Sequence, residues 1–182
     1  MSPSIGISLY PDHAQVPTDL LKHADTAMYQ AKAAGRHTYQ VYSEAMDEKT
    51  RHRAILTSAL RRALENNELS LVFQPRLSLT QQRITGAEAL LRWKSKEFGE
   101  VSPGQFIPLA EESGQILEIG AWALREACLT LRSWHEQGLP HLTVAVNVSA
   151  LQLQRGDLSD VVAQVLSETG VPARCLELEL TE

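Results

Sequence analysis

Cysteine is scarce in this chain. Its two cysteines, Cys128 and Cys175, lie far apart. That separation forms neither a metal knuckle nor a disulfide framework, so both read as small core residues of a reducing compartment. Long apolar runs are also missing. No stretch reaches the roughly 20 residues needed to span a bilayer. The start, Met1-Ser2-Pro3-Ser4, lacks the charged-then-apolar form of a secretory signal. The expected location is the cytoplasm, with any membrane segment upstream in a longer parent. A basic excess is absent as well: 17 Lys and Arg stand against 22 Asp and Glu, a net charge of -5. This argues against a nucleic-acid polymer as partner and leaves open a focused site for one small anion. What remains is ordinary for a soluble globular protein, 43% hydrophobic over 182 residues, enough for one medium domain or two small ones.

The first forty residues read as strand, helix, strand. Ile5, Ile7 and Leu9 alternate, and Pro11-Asp12 breaks the strand. Pro17, Thr18 and Asp19 start a helix that carries Leu20, Leu21, Ala24, Ala27, Met28 and Ala31 at helical spacing. Gly35 suits a left-handed cap, and Thr38 to Tyr42 forms a closing strand. Three such elements cannot enclose an independent core, so this segment reads as the tail of a larger domain. Lys32 and Arg36, four apart, are expected to share a helix face and present a double positive charge, which as solvated charges would be favoured near a helix C-terminus. Residues 44–67 form a charged helix with one narrow apolar side, Leu56, Ala59, Leu60, Ala63 and Leu64. Its first half is expected to link domains and its second half to open the next one.

From Leu69 the rhythm changes. Strands are expected at Leu69 to Pro75 (with Arg76 to Leu79 as an extension), Ile84 to Trp93, Leu142 to Ser149 and Cys175 to Thr181. Between them lie a loop at Gly99 to Gly104, then helices at Phe106 to Glu112, Gln115 to Gln137 and Asp157 to Thr169. Alternating strands and helices imply a parallel sheet with crossover helices. Each strand has one greasy and one polar or small face, which suits a barrel whose mouth holds a site better than a flat, doubly covered sheet.

The polar faces carry the chemistry. In Ile84 to Trp93, Glu88, Leu90 and Arg92 share one face while Ala87, Ala89, Leu91 and Trp93 share the other. An acid and a base on an otherwise apolar strand must pair with each other or meet a ligand; both readings are open. Asn147 and Glu179 fall near the C-terminal ends of their strands, with Glu88 deeper in its own. Two carboxylates and an amide oxygen are hard donors, suited to magnesium or manganese and unsuited to structural zinc. Arg92 could clamp a phosphate bidentately. The set points to phosphate-ester chemistry.

Two resemblances extend this reading. Ser4-Ile5-Gly6-Ile7-Ser8, Ala24 to Lys32 (ADTAMYQAK) and Gly35-Arg36 resemble the C-terminal end of the GGDEF family, the diguanylate cyclases, over residues 1–42. That resemblance implies nucleotide-phosphate contacts at Lys32 and Arg36. The family's glycine-rich acidic turn is absent, so no cyclase activity is expected of this chain alone. Gln74-Pro75, Glu88-Ala89-Leu90-Leu91-Arg92-Trp93, Pro103 with Phe106-Ile107-Pro108 and Ala110-Glu111, Val146-Asn147-Val148-Ser149, and Glu177 to Glu182 (ELELTE) resemble the EAL family, metal-dependent phosphodiesterases that open cyclic di-GMP to the linear dinucleotide. The implied architecture is α/β: an incomplete (β/α)8 TIM-type barrel preceded by a strand-helix-strand GGDEF remnant. The implied divisions are residues 1–42 for the remnant, 43–54 for a linker helix and 55–182 for the N-terminal portion of the EAL domain. By this resemblance Glu88, Asn147 and Glu179 bind Mg2+ or Mn2+; Gln74, Leu90 and Arg92 meet cyclic di-GMP; and Glu182 anchors an active-site loop. The family's later acidic pair, lysine and further Glu are not in this sequence, and a full barrel needs about 250 residues. The chain alone is therefore expected to be inactive. The implied parent is a signalling phosphodiesterase, with a degenerate EAL receptor or interaction module as the alternative, and a parent homodimer through the linker helix is a further expectation. Lys94-Ser95-Lys96-Glu97 replaces the family's usual His-Pro after the Trp.

Overall fold

The computed structural model describes residues 3–155 and 157–180. The chain divides into two compact units between Leu56 and Thr57.

In the first unit, strands β1 (Ser4–Ile7) and β2 (Thr38–Val41) pair in parallel, joined by helix α1 (Pro17–Ala33). Pro17 opens the helix, where its missing N–H costs nothing, and Asp19 lies in its first turn. A Cβ on Gly6 would collide with the Ala24 carbonyl and the Met28 amide, so glycine is what lets β1 lie against α1. The C-terminus of α1 is a Schellman turn: Arg36 N–H reaches the Ala31 carbonyl, Gly35 N–H reaches that of Lys32, and Gly35 takes φ 101°. Helix α2 (Glu44–Leu60) starts in this unit. There Asp47 accepts hydrogen bonds from Tyr42 (2.7 Å) and Thr26 (3.3 Å). The bond to Asp47, and then burial, push the Tyr42 hydroxyl up to about 12.

The second unit is built on one sheet. Strand β3 (Leu69–Ser78) runs antiparallel to β4 (Arg83–Ser95); β4 is parallel to β6 (Thr143–Val148), and β6 to β7 (Leu176–Leu180). A short β5 (Gly99–Val101) folds back on the end of β4. The sheet is thus not parallel throughout, as strand-helix alternation alone implies. Only Leu79–Gln82 separate β3 from β4, far too few residues for a parallel crossover. The segment from Gly99, expected to be loop, contains β5 and the start of helix α3 (Pro103–Ser113), with Pro103 as its first residue and Gly114 as its left-handed cap at φ 79°. Helix α4 (Ile116–Glu136) follows, then α5 (Ala150–Arg155) and α6 (Leu158–Thr169); α5 was not expected.

Helices α4 and α6 cover the greasy side of the sheet. Val144, Val146 and Ala89 pack with Leu124, Ala127, Cys128, Leu131 and Val165 in one cluster. Further along α4, Ile119 and Ala123 are also buried. Phe73 of β3 meets Trp134 edge-on, ring centres 5.1 Å apart. On β7 the same face leaves Leu178 and Leu180 exposed.

Cys128 and Cys175 are both free and buried. Burial pushes the Cys128 thiol from 9.0 up to about 11, only partly opposed by a hydrogen bond with Thr169. A thiol pKa raised by folding means that the unfolded chain ionises first. The stability it confers is complete below pH 9.0 and is lost as pH climbs toward about 11. The folded chain should therefore resist iodoacetamide at pH 8 and become reactive in denaturant, and its urea midpoint should fall between those two pH values. Rapid alkylation of Cys128 in the native chain at pH 8 would contradict the burial.

Candidate functional site

The strand registers decide which polar groups meet. Gln74 opposes Glu88, Glu88 is level with Ala145, and Asn147 is level with Glu179. Partners in register point to the same side of a sheet. One face therefore carries Gln74 and Arg76 from β3, Glu88, Leu90 and Arg92 from β4, Thr143 and Asn147 from β6, and Glu177 and Glu179 from β7. Thr143 comes close to β4 because residue 86 is glycine: a Cβ there would stand 2.5 Å from the Thr143 carbonyl oxygen.

Glu88 lies one step below Asn147, and its side chain bridges the difference. Asn147 Nδ2 donates to Glu88 Oε1 at 2.7 Å. The two readings of the Glu88 and Arg92 face are thereby separated. They do not pair with each other: Glu88 turns to Asn147, while Arg92 Nη1 donates to the Leu91 carbonyl at 2.8 Å. Four strand positions separate them by about 13 Å, too far for a relaxed ion pair. Glu88, Leu90, Arg92 and Asn147 line one cavity of about 330 Å3, whose other walls are largely apolar and include Ile107 and Ile119.

Glu179 shares the face but has a different partner. Its Oε1 lies 3.2 Å from Arg76 Nη1, and the same nitrogen lies 2.6 Å from Glu177 Oε2. Thr143 Oγ1 donates to Glu177 Oε1 at 3.0 Å. Arg76, Thr143 and Glu177 had no role in the sequence reading. Their signal was strand parity, since each shares a face with an expected site residue. Among the described residues, no group of three or more His, Cys, Asp or Glu side chains is arranged to hold a metal. Of the three expected donors, Glu88 and Asn147 are in contact, while Glu179, level with Asn147, is engaged by Arg76.

Just beyond Asn147 the chain enters a short helix. Ser149 and Gln152 form a reciprocal capping box at the start of α5: Ser149 N–H donates to Gln152 Oε1 at 3.0 Å, and Gln152 N–H reaches Ser149 Oγ at 3.4 Å. Both side chains are buried, and Gly120 of α4 supplies the space for the Gln152 amide. Gln74 is exposed at its place opposite Glu88. In the other unit, Lys32 lies in the last turn of α1, but Arg36 lies beyond the helix end at φ 61°. The two therefore do not share a helix face, because the Schellman turn has already reversed the chain. Glu182 lies outside the described residues.

Residues 57–182 match the family described as the EAL domain, and residues 1–38 match the diguanylate cyclase, GGDEF domain. The chain belongs to the EAL family. The bifunctional diguanylate cyclase/cyclic di-GMP phosphodiesterase MucR of Pseudomonas aeruginosa is 41% identical over 182 residues, covering 100% of this chain and 27% of that protein. The cyclic di-GMP phosphodiesterase NbdA of the same organism is 40% identical over 182 residues, covering 100% and 23%. The chain thus spans about a quarter of the length of these curated relatives. Among solved structures, the MucR phosphodiesterase in complex with c-di-GMP superposes with a TM-score of 0.68 at 42% identity, covering 70% of this chain and 52% of that one. The FimX EAL domain of Xanthomonas citri, also with c-diGMP, gives 0.63 at 25% identity, covering 75% and 52%. EAL domains are TIM-barrel-like and, in general, metal-dependent phosphodiesterases. The sheet β3-β4-β6-β7 with its helices is accordingly part of an incomplete EAL barrel, and the β1-α1-β2 element fits the GGDEF remnant. No helix among the described residues is long and apolar enough to cross a membrane.

Proposed function

We propose that the protein carrying this chain hydrolyses cyclic di-GMP to linear pGpG in the cytoplasm, with Glu88, Asn147 and Glu179 as ligands of a Mg2+ or Mn2+ ion. The observation that carries this reading is the 2.7 Å contact between Asn147 Nδ2 and Glu88 Oε1, on a face where Asn147 is level with Glu179. Donation through Nδ2 fixes the Asn147 amide and leaves its oxygen as the available donor. Hard oxygens of this kind suit a small divalent cation. A bound cation would supply charge neutralisation at a phosphodiester oxygen and an acidified water. Around it, Arg92 would hold a phosphate through its guanidinium, Leu90 would give the ligand an apolar contact, and Gln74, opposite Glu88, would add a polar one. The names of MucR and NbdA and the ligand of the MucR complex support the choice of substrate.

The reading divides the chain into a GGDEF remnant over residues 1–42, a linker helix over 43–54 through which the parent would dimerise, and EAL sequence over 55–182. Lys32 and Arg36 would be remnant phosphate contacts, and Glu182 would anchor a loop. Incubation of the full-length protein with cyclic di-GMP and Mg2+ tests the proposal. Linear dinucleotide should form, cease with EDTA and return with Mg2+ or Mn2+. Binding of cyclic di-GMP without cleavage would instead favour a degenerate receptor, and absence of both would sink the proposal.

A further inference from the structure

A single guanidinium nitrogen is shared by two carboxylates on the polar face. Arg76 Nη1 lies 2.6 Å from Glu177 Oε2 and 3.2 Å from Glu179 Oε1. The two contacts are not equivalent. Glu177 is itself fastened, since its other oxygen accepts the Thr143 hydroxyl at 3.0 Å. The bond to Glu177 is therefore the short, anchored arm, and the bond to Glu179 is the long, releasable one. The Arg76 side chain is 44% exposed and that of Glu179 39%, so neither contact is locked by burial and exchange is inexpensive.

We propose that Arg76 is a built-in competitor for the cation at Glu179, and that Glu177 is the site to which it withdraws. The proposal rests on the reading of Glu179 as a metal ligand. Without a cation, Arg76 neutralises Glu179 and ties β3 to β7. When Glu179 offers its oxygen to a divalent cation, like charges repel and the guanidinium retires onto Glu177. Glu177, held by Thr143, is ready to receive it. Arg76 is thus a positioning residue that sets how readily the site loads, and Glu177 limits the strength of the competition.

The two side chains should act in opposite directions. Arg76→Gln removes the competitor and a nearby positive charge, so Mn2+ should bind about two- to fivefold more tightly, the scale of a partly exposed ion pair. Glu177→Gln removes the alternative partner and leaves Arg76 to Glu179 alone, so Mn2+ should bind more weakly by a similar factor. In an Arg76→Gln background the Glu177→Gln effect should shrink, because no guanidinium remains to be redirected. Arg76→Lys, which retains the charge, should stay close to the unsubstituted chain.

Mn2+ titration of the full-length protein, followed by electron paramagnetic resonance, reads these affinities without turnover, and far-UV circular dichroism confirms that each variant is folded. Unchanged or weaker Mn2+ binding in a folded Arg76→Gln variant overturns the inference, as does a Glu177→Gln effect of equal size with and without Arg76. Glu179→Gln separates this failure from a deeper one. If the unsubstituted full-length protein binds no Mn2+, or Glu179→Gln leaves binding intact, the metal-ligand reading itself falls. If Glu179→Gln abolishes binding while Arg76→Gln changes nothing, only the competitor role is lost.

Discussion

Glu88→Ala is expected to lower cyclic di-GMP hydrolysis by the full-length protein at least about a hundredfold, since even groups that merely support metal ligands are worth 10- to 100-fold. The substitution removes a proposed cation donor and also the acceptor that orients the Asn147 amide through a 2.7 Å bond. Glu88→Gln separates the two effects. Its amide oxygen can still accept from Asn147, but it brings no negative charge to a cation. Both variants should be inactive if the charge matters. Glu88→Gln should also keep the unfolding temperature within a few degrees of the parent, because surroundings that are only half-buried lose no packing. Turnover measured beside a thermal melt checks both halves. Hydrolysis that persists in Glu88→Ala would remove Glu88 from the ligand set.

Trp93→Ala is expected to be the most damaging single change to the second unit. Trp93 is 1% exposed, meets Phe106 edge-on at 5.7 Å, and donates its indole N–H to Glu68 Oε2 at 3.1 Å. Truncating a buried aromatic to Ala costs roughly 3–5 kcal/mol. Stranding the acceptor on Glu68, itself only 9% exposed, adds about 1–3 kcal/mol. Against a typical domain stability of about 5–15 kcal/mol, that is enough to leave much of the unit unfolded at 37 °C. Trp93→Phe keeps a ring against Phe106 and should recover most of the packing while still stranding Glu68. Pairing it with Glu68→Leu should then cost less than the sum of the two single changes. Urea denaturation followed by circular dichroism measures each of these, and a loss under about 1 kcal/mol for Trp93→Ala would contradict its burial.

The same residues show where local sequence suffices. The alternation of Thr143, Ala145 and Asn147 with Val144, Val146 and Val148 marks β6 and its two faces, because a strand has a period of two and one side packs on helices. Helix α4 is legible for the same kind of reason: its buried residues Ile116, Ile119, Ala123, Leu124, Ala127, Cys128 and Leu131 recur at helical spacing. Local signals were less informative about what a turn does to the chain. The turn expected at Gln81-Gln82-Arg83 is present, with Gln82 at φ 49°, but it pairs β3 with β4 antiparallel where strand-helix alternation implies a parallel sheet, and the cap on α1 removed Arg36 from the face it was expected to share with Lys32. The capping box at Ser149 and Gln152 was written in the sequence and would have announced α5.

The sequence by itself determined the alternating elements, the polar face of each strand, and the family motifs that carry Glu88, Asn147 and Glu179. Those depend on contacts a few residues apart and on fixed backbone periods. Folding in three dimensions settled that Glu88 turns to Asn147 and away from Arg92, and that Arg76 joins Glu177, 101 positions away in the chain, and Glu179 beyond it. Such partners are chosen by strand register, which is set by how the whole greasy face packs against the helices, and a shift of one residue would send every one of these side chains to the opposite face.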